Sequence, residues 1–180
     1  MMLKGYINLF IFVIVATIIL YLPVFFISMK KGKGFIRQLS YLLWFWSVFL
    51  IVFATIIFFN LPIHLNPEQS VLNLRPLHWL WEENIWQRFM AEIRPNILIF
   101  IPLGIFTPIV FKRMRKFYMT ALFAFILTLS VELFQYFIGR SSDIDDIIAN
   151  LLGGIIGYGI FKILSYLFKN TKWWNKLLGT

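Results

Sequence analysis

Five apolar runs, each bounded by charge or by a turn, dominate the chain: Tyr6–Met29, Leu39–Leu61, Asn96–Phe111, Phe117–Ile138 and Ile144–Phe168. About 20 apolar residues in helical conformation cross a hydrocarbon core of roughly 30 Å, where every backbone N–H and C=O must find a partner inside the protein. A chain built this way has few folds open to it. The expectation is an all-α, polytopic integral membrane helix bundle with five transmembrane helices, forming one membrane domain over residues 1–180. Composition agrees, since 60% of residues are hydrophobic and only 14% charged, against about 45–50% apolar in soluble domains. The third run is short and holds Pro102, Gly104 and Pro108, yet charge alternation requires an odd number of spans and so supports counting it.

That alternation is visible in the basic residues. Lys30, Lys31, Lys33 and Arg37 follow the first run, Lys112, Arg113, Arg115 and Lys116 the third, and Lys162, Lys169, Lys172 and Lys176 close the chain. The other side receives Lys4, Arg75, Arg88, Arg94 and Arg140 with all eight acidic residues. The bias of Lys and Arg toward cytoplasmic loops then predicts a multi-pass membrane protein, N-terminus outside and C-terminus cytoplasmic. The net charge of +9 is read as topological and as a contact with membrane lipids, not as a nucleic-acid surface. The first run is too long for a signal peptide, lacks a small-x-small cleavage site and is read as a retained helix.

The outer loop, residues 62–95, is the only sizeable connection. Its second half places Trp81, Ile85, Phe89 and Ile93 four apart, with Glu82, Glu83, Gln87 and Glu92 elsewhere on the wheel, which predicts an amphipathic helix over Leu77–Ile93. Such a helix serves as an interfacial anchor or as a lid over a cavity. The tail with Trp173 and Trp174 reads as a cytoplasmic interfacial anchor, and the first two spans as scaffold.

Polar side chains inside the apolar runs are the exception that needs a cause, because an ionised group at the bilayer centre costs about 2.5–3.5 kcal/mol on insertion scales. Thr128, Glu132, Gln135 and Gly139 fall on one helical stripe of the fourth run. Asp143, Asp146, Asn150, Gly153 or Gly154, and Gly157 do so on the fifth. At about 1.5 Å per residue, Glu132 and Asn150 both lie roughly 9 Å from the intervening turn. The short turn makes the two helices antiparallel neighbours, so Glu132, Gln135, Asp146 and Asn150 are expected to form one polar cluster, with Asn96 able to join it from the third run. Ser142 with Asp143, Asp145 and Asp146 suits a helix N-terminus, and Asp145, off the shared stripe, reads as a cap alone. Arg140 either pairs with one of these acids or holds an anionic ligand group. Gly153, Gly154 and Gly157 are expected to let helices approach closely, Gly153 and Gly157 as the surface on which the stripes of the fourth and fifth runs meet. Pro102 leaves the carbonyl near Leu98 without its helical partner, which predicts a kink.

The absence of Cys removes disulfides, thiolate metal sites and a cysteine nucleophile. His64 and His78 lack ligand spacing, the Asp cluster has no EF-hand or octahedral pattern, and no nucleophile elbow or Ser/His/Asp order is present. No metal and no cofactor are expected.

At these same residues the chain resembles the VanZ-like family of bacterial membrane proteins. Three blocks match in order: LNLRPL at Leu72–Leu77, NILIFIPLG at Asn96–Gly104 and ELFQYFIGRSSDIDDIIANLLGGIIGYG at Glu132–Gly159. The last carries Glu132, Gln135, Arg140, Asp143, Asp146, Asn150, Gly153 and Gly157 at the family's spacing, while Arg75 departs from a block that is usually apolar before its proline. The resemblance implies a bacterial inner-membrane protein related to one that gives low-level resistance to the glycopeptide teicoplanin. Three functions follow as expectations. The first is a non-enzymatic cell-envelope protein whose outward polar pocket binds an amphiphile, a lipid-linked envelope precursor or a lipoglycopeptide. The second is an intramembrane enzyme on a lipid-linked substrate, with Glu132 as base and Arg140 on a phosphate or carboxylate. The third is a scaffold or partner subunit whose polar stripe is helix glue.

Overall fold

The computed structural model describes residues 2–57, 65 and 67–180, apart from the side chains of 2–10 and 57. Residues 58–61, the expected end of the second span, and His64 lie outside the described residues. Helix α1 spans Met2–Lys30, and α2 spans Phe35–Val52 before widening into a π turn, Phe53–Ile57. After the outer loop come α3 (Ile85–Arg88), a second π turn (Phe89–Ile93) and α4 (Arg94–Val110), then α5 (Phe117–Phe137), α6 (Ile144–Phe168) and α7 (Lys172–Leu178).

Among the described residues, five helical stretches are long and apolar enough to cross a membrane: Ile11–Lys30, Phe35–Ile56, Ile85–Val110, Phe117–Phe137 and Ile144–Phe168. The protein is an all-α membrane helix bundle, as its apolar runs require. The third stretch is the one that differs most in extent from its sequence limits. It starts at Ile85 because the segment expected to be an amphipathic helix over Leu77–Ile93 forms a 3-10 turn at His78–Trp81 and then a helix that continues without a break into α4. Pro95 permits the join. Its ring would press on the carbonyl four residues earlier in a regular helix, and the wider π turn ahead of it relieves that contact. The helix also continues through Pro102, so that proline does not end it.

The tightest seam in the bundle joins α4 to α6. A Cβ built on Gly153 would lie 2.2 Å from the carbonyl oxygen of Ile97, one on Gly157 2.2 Å from that of Ile101, and one on Gly104 2.2 Å from that of Gly154. Gly153 and Gly157 therefore face α4, a correction to the expectation that they bring α5 and α6 together. Gly154 does turn toward α5, where an added Cβ would meet that of Ala124 at 2.9 Å. Ile51 of α2, Phe100 and Leu103 of α4, and Ala124 and Val131 of α5 close the apolar centre.

At the end of the bundle where α4 finishes, two arginines serve as helix caps. Arg37 donates to the carbonyls of Ile109 (2.9 Å), Val110 (2.6 Å) and Leu177 (2.7 Å), and Arg115 donates to those of Pro108 (3.2 Å) and Leu178 (2.8 Å). Cationic groups at carbonyl-rich helix ends satisfy orphan acceptors and oppose the negative end of the macrodipole. The tail becomes α7, docked by Trp174, which is buried with Phe161, Tyr158 and Ile109. Only Trp173 of the pair remains exposed in the manner of an anchor.

At the opposite end a two-residue parallel bridge pins the outer loop to the α5–α6 turn. Strand β1 (Leu72–Asn73) pairs with β2 (Ser142–Asp143), with Leu72 opposite Ser142 and Asn73 opposite Asp143. Ser142 N–H donates to Val71 O at 2.9 Å, and the Ser70 hydroxyl to Tyr136 O.

Candidate functional site

The beginning of α6 is organised by its acids, each in a different role. Asp143 is the N-cap, its Oδ1 accepting from Asp145 N–H at 2.9 Å. This is the position expected for Ser142, whose hydroxyl instead donates to Glu132 Oε2 at 3.0 Å. Asp145 is not the cap that its off-stripe position suggested. Buried to 3% exposure, it accepts the N–H of Leu77, and its Oδ2 stands 2.7 Å from His78 Nδ1. Leu77 has a left-handed backbone, with φ of +58°, a conformation that costs a branched residue energy and persists where its surroundings hold it. The Asp145 carboxylate, which accepts its N–H, is one such hold. Asn73 adds a 3.0 Å bond to Asp143 Oδ2. The outer loop is thus clasped to the first turn of α6 by Asn73, Leu77 and His78.

Around that clasp lies an ion network: His78 Nε2 is 3.7 Å from Asp143 Oδ2 and 3.6 Å from Glu82 Oε1, and Arg88 reaches Glu82 at 3.3 Å and Glu92 at 3.0 Å. His78, Asp143 and Asp145 are the group among the described residues whose ligand atoms, all within 4.8 Å of one another, come close enough to converge on a metal ion. In the present geometry His78 and Asp145 are instead at hydrogen-bond distance and the group works as a fastening.

Beneath the clasp, between the π turn of α2, the start of α4 and the facing ends of α5 and α6, is a cavity of about 470 Å³. Asn96, Glu132, Gln135, Arg140, Asp146 and Asn150 all line it. Asp143 does not; it belongs to the clasp above. Glu132 is 2% exposed and its Oε2 accepts from Ser142 Oγ and, at 3.1 Å, from Asp143 N–H. Asn96 Nδ2 donates to Asp146 Oδ1 at 2.6 Å, drawing α4 to α6. Gln135 Nε2 and Arg140 Nη1 both donate to the carbonyl of Thr55, each at 2.9 Å. Asn150, 1% exposed, donates through Nδ2 to Thr128 Oγ1 at 2.8 Å, while its Oδ1 meets no donor among the described residues.

Sequence reasoning missed part of this wall. The second span reads as scaffold in the sequence, yet Ala54 and Thr55 line the cavity and the Thr55 carbonyl receives two of its donors. A backbone carbonyl leaves no mark in a pattern of side chains. Asn73 and His78 escaped because their partners lie about 70 residues away, across a two-residue bridge.

A family model described as VanZ/LLP1 matches residues 42–165, a stretch that contains every residue of the cavity wall and of the clasp. "Protein VanZ" of Enterococcus faecium is similar at 28% identity over 122 residues, 65% of this chain and 71% of that protein. No solved structure matches the chain.

Proposed function

Because the chain belongs to the VanZ/LLP1 family, we propose that it is a bacterial plasma-membrane protein, N-terminus outside and C-terminus cytoplasmic, whose polar cavity opens outward and takes up an amphiphile. Its role on this proposal lies in the cell envelope, in defence against lipoglycopeptides of the teicoplanin type, and its partners are membrane lipids and a lipid-linked precursor or the antibiotic itself. What carries the proposal is a single observation: six polar or charged side chains from α4, α5, α6 and the α5–α6 turn line one cavity of about 470 Å³. Its size falls in the range of small-molecule sites, about 300–1,000 Å³. The basic clusters at the opposite end support the orientation.

Glu132→Gln and Asn150→Ala are the test, made in a bacterial host in which the wild-type chain raises survival under teicoplanin. Both variants are expected to return the host to the sensitivity of cells lacking the protein, with unchanged abundance in the membrane. Full protection by both variants would overturn the proposal.

A second reading is favoured by the hydrogen bonds themselves. Asn96 with Asp146, Asn150 with Thr128, and Gln135 with Thr55 each join two helices, so the polar stripe also acts as helix glue. On that reading the variants lower abundance first, and protection falls only in proportion.

A further inference from the structure

The hydrogen-bond directions around the cavity restrict what its occupant can be. The amides of the wall turn N–H groups onto the protein: Asn96 onto Asp146, Gln135 onto the Thr55 carbonyl, Asn150 onto Thr128. Arg140 directs Nη1 to the same Thr55 carbonyl. What the wall offers in return includes acceptors. Asn150 Oδ1 is buried and meets no donor among the described residues, and a buried acceptor left unpaired forfeits its solvation for nothing. Glu132 and Asp146 present carboxylates to the same space, with Glu92 at its edge. Even with Glu92 set against Arg88, which it meets at 3.0 Å, two carboxylates face the one guanidinium of Arg140. In a site walled by Ile99, Pro95 and Ala54, a cation brought to these two carboxyl groups meets them through a lower dielectric than water provides.

We propose that the head group accepted by this cavity is a protonated primary amine, the three N–H bonds of an alkylammonium being shared among Glu132, Asp146 and Asn150 Oδ1. An ammonium offers three donors and no acceptor, the complement of this wall. A phosphate or carboxylate head group brings only acceptors and further negative charge. The inference rests on the amphiphile reading given above and names the chemical class of its ligand.

The test uses the full-length protein in phosphatidylcholine nanodiscs, titrated calorimetrically with three probes of one chain length, octylammonium, octyl phosphate and octyl glucoside, with protein-free nanodiscs subtracted. Octylammonium is expected to bind saturably and at least about tenfold tighter than either other probe, roughly the factor that one charge-assisted hydrogen bond supplies. Glu132→Gln is expected to weaken octylammonium by a similar factor and to leave octyl glucoside unchanged. Octyl phosphate or octyl glucoside binding as tightly as octylammonium would overturn the amine assignment while leaving the amphiphile reading in place. Saturable binding of none of the three would overturn both. The comparison among probes is made on the wild-type protein, so it stands whether or not the Glu132 variant accumulates.

Discussion

Helix α6 passes through two surroundings that share a backbone and almost nothing else. Over its first two turns Asp146 and Asn150 look into a cavity where side chains bond across helices. Over the next two, Gly153 and Gly157 press against the α4 backbone, with no room for even a methyl group. The difference follows from what a bilayer leaves available to hold helices together. Lipid tails are as apolar as leucine, so helices associate by close backbone packing or by polar contacts. Here the two devices are used in succession along one helix. The glycine seam sets the spacing of α4 and α6, and toward the start of α6 amide and carboxylate side chains line a cavity instead.

The largest effect is expected from closing that spacing. Gly157→Leu places a side chain where a Cβ alone would lie 2.2 Å from Ile101 O and 2.9 Å from Gly104 Cα. Backbone cannot step aside as a flexible side-chain end can, so the cost should exceed about 3 kcal/mol, the upper part of the overpacking range. The protein is expected to vanish from the membrane fraction on quantitative immunoblotting. Normal abundance would mean that the seam does not set the spacing. Gly159, which has nothing within 4 Å of its added Cβ, provides the control: Gly159→Ala should accumulate as wild type.

Next in size is the clasp. Asp145→Ala leaves the N–H of Leu77 and the ring of His78 without their shared carboxylate, and losing a buried charged acceptor costs about 1.5–3 kcal/mol. The left-handed Leu77 would then have less to hold it. Faster cleavage of the outer loop by an added protease, with the spanning helices still protected, is the expected result. Uniform destabilisation of the whole chain would instead place Asp145 among the supports of the bundle.

How much of this was readable beforehand differs between the same two surroundings. The spans announced themselves through apolar length, and helical spacing alone brought Glu132, Gln135, Asp146 and Asn150 to the cavity they line. The glycines were legible as packing residues but not as to partner: small residues state that something comes close, and only Gly104 on α4 determines what. The start of the third helix was hidden because Pro95 resembles a helix beginning, whereas a π turn lets the helix arrive from Ile85. Asp143 caps α6 in place of Asp145 because capping depends on the φ and ψ of a turn, and the β1–β2 bridge that sets this turn draws half its residues from the outer loop.

A smaller effect is expected at the far end of the bundle. Arg37→Lys keeps the charge but not the planar fork that reaches Ile109, Val110 and Leu177 together, and the two groups are not interchangeable where several acceptors must be met at once. Loss of one or two such bonds is worth about 1–2 kcal/mol. The thermal midpoint in detergent should fall, while amphiphile binding at the other end stays as in wild type. Weakened binding would show that the two ends are coupled through α4, against the division drawn above.

The smallest change tests the boundary itself. Thr128 lies where the cavity gives way to the seam, and its hydroxyl accepts from Asn150 Nδ2 at 2.8 Å. Thr128→Val removes that acceptor at nearly constant volume, at a cost of about 1 kcal/mol. If Asn150 serves chiefly to tie α5 to α6, stability falls by that amount and octylammonium binding is untouched. If its amide is held so that Oδ1 faces the cavity, the released side chain can rotate, and binding weakens while the thermal midpoint barely moves. The same substitution therefore assigns Asn150 to one side of the boundary by which of two measurements it shifts, and an Asn150→Ala background, in which Thr128→Val should have no further effect on binding, confirms that the hydroxyl acts through that amide.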